Sequence, residues 1–177
     1  MAEIYSTSAS KREDATIKRA LRILENRIRE PGLKFDSTDT TRNYLTLKLA
    51  PLEREVFTVL FLDNQHRLIA SEDMFHGTLA ESAVHPREVV KRALQHNAAA
   101  VIVAHNHPSG HAVASAPDIQ VTNRLNAALS LVDIMLLDHF IIAGIIVVSL
   151  AEQGWMLQKP ATEAKPTKPK RTQSKAA

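Results

Sequence analysis

Residues 98–110, AAAVIVAHNHPSG, decide how this chain folds. The run AAAVIVA at 98–104 is short, wholly apolar and carries the β-branched Val101, Ile102 and Val103, the pattern of a strand buried on both faces. His105-Asn106-His107-Pro108-Ser109-Gly110 follows, where proline and glycine force the chain out into a loop. Upstream, His85-Pro86 opens a helix with proline in its first turn, continuing through Val89, Val90, Ala93 and Leu94 to about Asn97. Downstream, the spacing predicts a second helix over 115–131. The central strand is thus bracketed by helices.

Further out, Ile17, Leu21, Leu24 and Ile28 recur at helical spacing and form one apolar stripe, which Pro31-Gly32 terminates. A shorter helix starts near Asp39 and carries Tyr44, Leu45 and Leu49 before Pro51. Residues 55–62, EVFTVLFL, read as a strand; Asp63-Asn64-Gln65 make a turn and residues 67–75 return as a second strand. Residues 134–137, 140–143 and 145–149 read as late strands or strand pieces. Strands and helices arranged around an apolar central strand predict an α/β or α+β layered domain. The chain divides into an N-terminal helical segment (1–38), the layered domain (39–157) and a basic tail (158–177).

The 177 residues suit one domain with a short extension. Aromatic residues make up 5%, so the core is aliphatic and a base-stacking surface for single-stranded nucleic acid is disfavoured. With no cysteine, disulfides and thiolate chemistry are excluded, and any metal site must use His, Asp or Glu. The net charge of +3 belongs to the tail. Six of the 22 bases and one of the 19 acids fall in 158–177, leaving 16 bases against 18 acids, a net −2, for the rest. With Pro160, Pro166 and Pro169 and no apolar periodicity, the tail reads as disordered and solubilising. A weak contact with nucleic-acid phosphates is the sharper alternative.

The first residues, MAEIYSTSASKRED, lack the apolar core of a secretory signal. Residues 131–150 are mostly apolar but include Asp133, Asp138 and His139, and a charge in mid-bilayer costs roughly 2.5–3.5 kcal/mol. Buried strands fit them better than a membrane span. A soluble, cytoplasmic protein is expected.

His105 and His107 stand two apart, so an extended chain turns both to one face, about 6.5–7 Å apart at Cα, while Asn106 points the other way. Two imidazoles on a rigid strand end can converge on one tetrahedral ion. Asp118, in the first turn of the next helix, completes a His, His, Asp set that leaves a fourth position for water. Zinc lowers the pKa of such a water to about 7. Plainer readings stand beside this one. An HxH pair is often structural, and Ser115-x-x-Asp118 fits a helix capping box that needs no catalysis. The capping pattern does not account for the two histidines upstream.

The spacing His105-x-His107-x7-Ser115-x2-Asp118 resembles the JAMM motif of MPN-domain metalloproteases. AHNHPSG, with HPREVVKRAL before it and LVDIMLLDHFIIAG after it, is similar to the bacterial RadC family, over roughly 42–155. The resemblance implies a mixed β-sheet flanked by helices, an MPN/JAMM-like (cytidine-deaminase-like) layered domain. It also implies one Zn2+ per chain held by His105, His107 and Asp118, with Ser115 hydrogen-bonding the developing oxyanion. A glutamate at the start of the first strand would be the general base; Glu55 fits that position, with Glu53 and Glu72 as the other candidates. His111 departs from the acidic residue common in the family and reads as a solvent-exposed loop histidine. Asp138-His139 matches another family signature, and its plainest reading is a buried aspartate–histidine hydrogen bond ordering the strand beside the site.

Three functions follow as expectations. The first is a zinc-dependent hydrolase cleaving a peptide or isopeptide amide in an unknown peptide or protein substrate. The second is a DNA-repair or mobile-element accessory protein, and the third a metal-binding scaffold without turnover. Longer RadC relatives carry a helix-hairpin-helix-like region that the first forty or so residues do not resemble, which disfavours inherited DNA binding.

Overall fold

Side-chain alternation in two central strands assigns each residue to a layer. The computed structural model describes residues 8–29, 38–77 and 84–156. The elements run α1 (Ser8–Arg29), α2 (Thr38–Leu49), β1 (Val56–Leu62), β2 (Leu68–His76), α3 (Pro86–Gln95), β3 (Ala100–Asn106), α4 (Ala116–Ser130), β4 (Met135–Ala143) and β5 (Ile146–Ser149). The sheet order is β2-β1-β3-β4-β5. Only the β3–β4 pair is parallel, so the sheet is mixed and the fold is a layered α+β domain.

On β1, Val56, Leu60 and Leu62 join α2's Tyr44, Leu45 and Leu49 in one apolar core. Phe57, Val59 and Phe61 face the opposite way, into a second core with Val89 and Ala93 of α3 and Leu125 and Leu129 of α4. β3 alternates in step: Ala100, Ile102 and Ala104 meet the first core, Val101 and Val103 the second. Both β1 and β3 are buried along their whole length, which is why they lack a polar face. The same parity puts His105 on the α4 side of the sheet and Asn106 on the α2 side.

The central strand is longer than its apolar run. It continues through His105 and Asn106 because both pair across the sheet, His105 with Phe57 and Ile141, Asn106 with Ile142. The late pieces 134–137 and 140–143 are one strand, β4. Asp138 and His139 do not interrupt it, because each has buried partners.

A register shift against β3 sets their directions: Val101 pairs with Leu136, but Ile102 pairs with Asp138. The extra residue, Leu137, is a bulge that inverts the alternation beyond it. His139 thereby lands beside Val103, on the face that carries His105.

β4 turns into β5 at Gly144-Ile145, with Gly144 at φ +61°, a conformation glycine adopts without steric cost. No helix among the described residues is long and apolar enough to cross a membrane, and residues 135–149 of the apolar 131–150 stretch are mostly strand. The expectations for the tail and for Pro31-Gly32 lie outside the described residues.

Candidate metal centre

His105 is the penultimate residue of β3 and is fully buried; His107, in the loop just beyond the strand, is partly exposed. Asp118 comes from the first turn of α4 and is also buried. Their ligating atoms all lie within 4.8 Å of one another. His105 Nε2 is 2.9 Å from His107 Nε2 and 3.2 Å from Asp118 Oδ1, and His107 Nε2 is 3.8 Å from Asp118 Oδ2.

A tetrahedral ion with bonds of about 2.0–2.2 Å holds its ligand atoms roughly 3.3–3.6 Å apart. The observed distances bracket that spacing. His107 Nδ1 donates to the carbonyl of His111 at 2.7 Å, so its proton is committed outward and Nε2 is the nitrogen presented to the cluster. Two imidazole Nε2 atoms and a carboxylate converging on one point suit a divalent cation, and the donor set fits.

Ser115 and Asp118 form a reciprocal capping box at the start of α4. Asp118 Oδ2 accepts from the Ser115 backbone at 2.7 Å and from its hydroxyl at 2.6 Å, while Ser115 Oγ accepts from Asp118 N–H at 3.3 Å. Capping and ligand geometry therefore coexist in one carboxylate, Oδ1 facing His105 and Oδ2 serving the cap. Burial works to raise the Asp118 carboxyl, against the Ser115 backbone and hydroxyl donors that favour its ionised form.

Glu55 lies just before β1. The pairing of β1 with β3 that reaches Phe57 and His105 brings Glu55 and His107 to the same end of the sheet. Glu55, Glu53, His107 and His111 line one side of a cavity of about 620 Å³; Glu53 and His107 also border a second, of about 460 Å³. The third glutamate is elsewhere. Glu72 on β2 binds Arg92 through both carboxylate oxygens and accepts from His96 Nε2 at 2.7 Å, tying β2 to α3. His111 is exposed and contributes its backbone carbonyl.

The expected buried aspartate–histidine hydrogen bond is made from the His139 backbone, while the two side chains have separate partners. Asp138 Oδ1 accepts the backbone N–H groups of His139 (2.7 Å) and Ala151 (3.0 Å), and Oδ2 accepts from Ser149 Oγ at 2.6 Å. The His139 ring points to the other face, with Nε2 2.8 Å from His105 Nδ1 and Nδ1 2.6 Å from Thr122 Oγ1. Neighbouring strand residues face opposite ways, so their side chains cannot bond.

Thr122, the contact of His139 with His105 and the bonding role of Asn106 escaped the sequence reading. Thr122 was findable, since it lies one helical turn beyond Asp118. His139 was not, because the bulge at Leu137 decides its face. Phe57 completes the floor, stacked on His105 at 6.4 Å between ring centroids and edge-on to His139 at 5.6 Å.

A layered α+β sheet with a His, His, Asp group at the end of its central strand defines a JAB-type domain. A family model described as a RadC-like JAB domain matches residues 35–155, and the chain belongs to the RadC family. YeeS of Escherichia coli strain K12 is 54% identical over 142 residues, covering 80% of this chain and 96% of YeeS. YkfG of the same strain is 55% identical over 138 residues, 78% of this chain and 87% of YkfG. A relative in Vibrio cholerae serotype O1 is 51% identical over 152 residues, 86% of this chain and 95% of that protein. The names of these relatives state no activity.

Proposed function

We propose that this chain is a zinc-dependent hydrolase of the JAMM type, cleaving a peptide or isopeptide amide bond. The observation that carries the reading is the convergence of His105 Nε2, His107 Nε2 and the Asp118 carboxylate beside a cavity lined by Glu55. Zinc, when held there, would polarise the scissile carbonyl and make a water acidic enough to ionise near neutral pH.

The chain's own residues supply the rest. Glu55 accepts a proton from the attacking water and returns it to the leaving amine, so that one C–O bond forms as one C–N bond breaks. Ser115 Oγ donates to the oxygen on which negative charge develops, turning away from Asp118 Oδ2 to do so. Phe57 supports the buried imidazole from below and keeps water from that side of the ligands.

Metal analysis of gently purified protein tests the reading: about one zinc per chain is expected, and its loss in His105→Ala. A broad peptide and isopeptide library then separates enzyme from scaffold. Glu55→Gln should keep the metal and lose turnover; wild-type protein that carries no metal would end the hydrolase reading. Weak phosphate-backbone contact through 158–177 is a separate proposal, and unchanged DNA binding after removal of those residues would refute it.

A further inference from the structure

We infer that His139 is a positioning residue which, together with Thr122, holds His105 in the tautomer that presents Nε2 to a metal. The inference rests on the metal-centre reading above, and its geometry comes from a chain of three buried hydrogen bonds. Thr122 Oγ1 lies 2.6 Å from the carbonyl oxygen of Asp118, an acceptor only, so the hydroxyl proton points there. Its lone pairs are left for His139 Nδ1, also at 2.6 Å, and that nitrogen must therefore carry a proton.

His139 has no solvent exposure, and a second proton would make it a buried cation without a carboxylate partner. Its Nε2 is therefore bare and accepts from His105 Nδ1 at 2.8 Å. The proton of His105 is thereby fixed on the inner nitrogen. Nε2, the atom 3.2 Å from Asp118 Oδ1 and 2.9 Å from His107 Nε2, is the one left to bind an ion. His107 reaches the same state by a different partner, the carbonyl of His111.

The relay also closes on itself, since the helix turn that holds Asp118 is the one whose carbonyl orients Thr122. Partners of this kind around ligating histidines typically change metal affinity 10–100-fold when removed.

The test compares Thr122→Val with Thr122→Ser, and His139→Leu with His139→Gln, in the full chain. Zinc affinity is read by chelator competition, and imidazole tautomers by 15N chemical shifts of the metal-free protein at a pH where the rings are neutral. Valine keeps the volume of threonine but cannot accept from His139; serine loses a methyl but keeps the hydroxyl. Thr122→Val should lose 10–100-fold in zinc affinity while Thr122→Ser stays within a few-fold, and glutamine should rescue at position 139 what leucine loses. A packing role alone would order serine and valine the other way. The inference is overturned if Thr122→Val binds zinc like the wild type, or if wild-type His105 carries its proton on Nε2. Absence of zinc binding by the wild-type chain would instead fell the metal-centre reading, and the nitrogen shifts would still judge the tautomer.

Discussion

The side-chain oxygen of Asn106 accepts the backbone N–H of Val56 at 2.8 Å. Its amide nitrogen donates to the carbonyls of Leu52 and Arg54, at 3.1 and 3.0 Å. One buried side chain thus pins the whole 52–56 segment, with Glu53 and Glu55, to the end of the strand whose next residue is His107. The opposite faces of residues 105 and 106 divide the labour: His105 points to the His, His, Asp group, Asn106 holds the backbone that carries Glu53 and Glu55.

Replacing Asn106 by aspartate keeps the acceptor and removes both donors, setting a carboxylate against two carbonyl oxygens. Each buried group left without a partner costs about 1–3 kcal/mol. Asn106→Asp should lower unfolding free energy by about 2–4 kcal/mol in urea titrations. Zinc affinity should change little, because no ligand is touched. A variant as stable as the wild type would show that the pin is not needed.

The two roles of Asp118 are separable. In Asp118→Asn the side-chain oxygen can still accept from Ser115 and cap α4, whereas the amide group cannot serve as an anionic ligand. Thermal unfolding should move only a few degrees and zinc affinity should collapse. Ser115→Ala should do the reverse, costing about 1 kcal/mol of stability for the lost cap while the metal is retained. Parallel metal analysis and calorimetry of both variants check the pair of outcomes.

Acid should destabilise the fold through Glu72. Its hydrogen bonds from Arg92, against the opposing effect of burial and with help from His96, hold the carboxyl below its ordinary value. A depressed carboxylate contributes stability that is present above its unfolded pKa of about 4.3 and disappears as pH falls through the folded value. Glu72→Gln should be less stable than the wild type at neutral pH, with the gap narrowing below about pH 4. A gap of constant size across that range would mean that ionisation of Glu72 is not the cause.

Asp138 has the opposite sign. Burial raises its carboxyl, outweighing the bonds from Ser149, Ala151 and His139. The folded protein then binds this proton more tightly than the unfolded chain, so stability falls as pH rises from about 3.9 through the raised folded value. Asparagine can accept the same backbone N–H groups and donate to Ser149 Oγ. Asp138→Asn should therefore match or exceed wild-type stability at neutral pH, and lose that advantage in acid. Denaturant titrations at several pH values would show the crossing.

Element types were legible wherever periodicity was strong. The stripe of α1, the Pro86 start of α3 and the apolar runs of β1 and β3 each carry their own local signal. The motif was legible for a related reason: the i, i+2 geometry of a strand end and the first turn of a helix confine His105, His107 and Asp118 to one neighbourhood. Strand limits were less clear, because His105 and Asn106 are polar residues in a buried strand. Their hydrogen-bond partners, His139 on one side and the 52–54 backbone on the other, are remote in sequence.

By itself the sequence determined the layered fold class, the central strand and the neighbourhood shared by His105, His107 and Asp118, since all of these follow from local spacing and burial. Tertiary structure alone decided the surroundings of those ligands. A single bulge at Leu137 turns His139 toward His105 and sends Asp138 to the other face, and the packing of the sheet brings Glu55 to a cavity shared with His107 while tying Glu72 to α3. Register is a property of paired strands rather than of either strand alone, so a shift of one residue reverses every side chain beyond it without altering the local pattern.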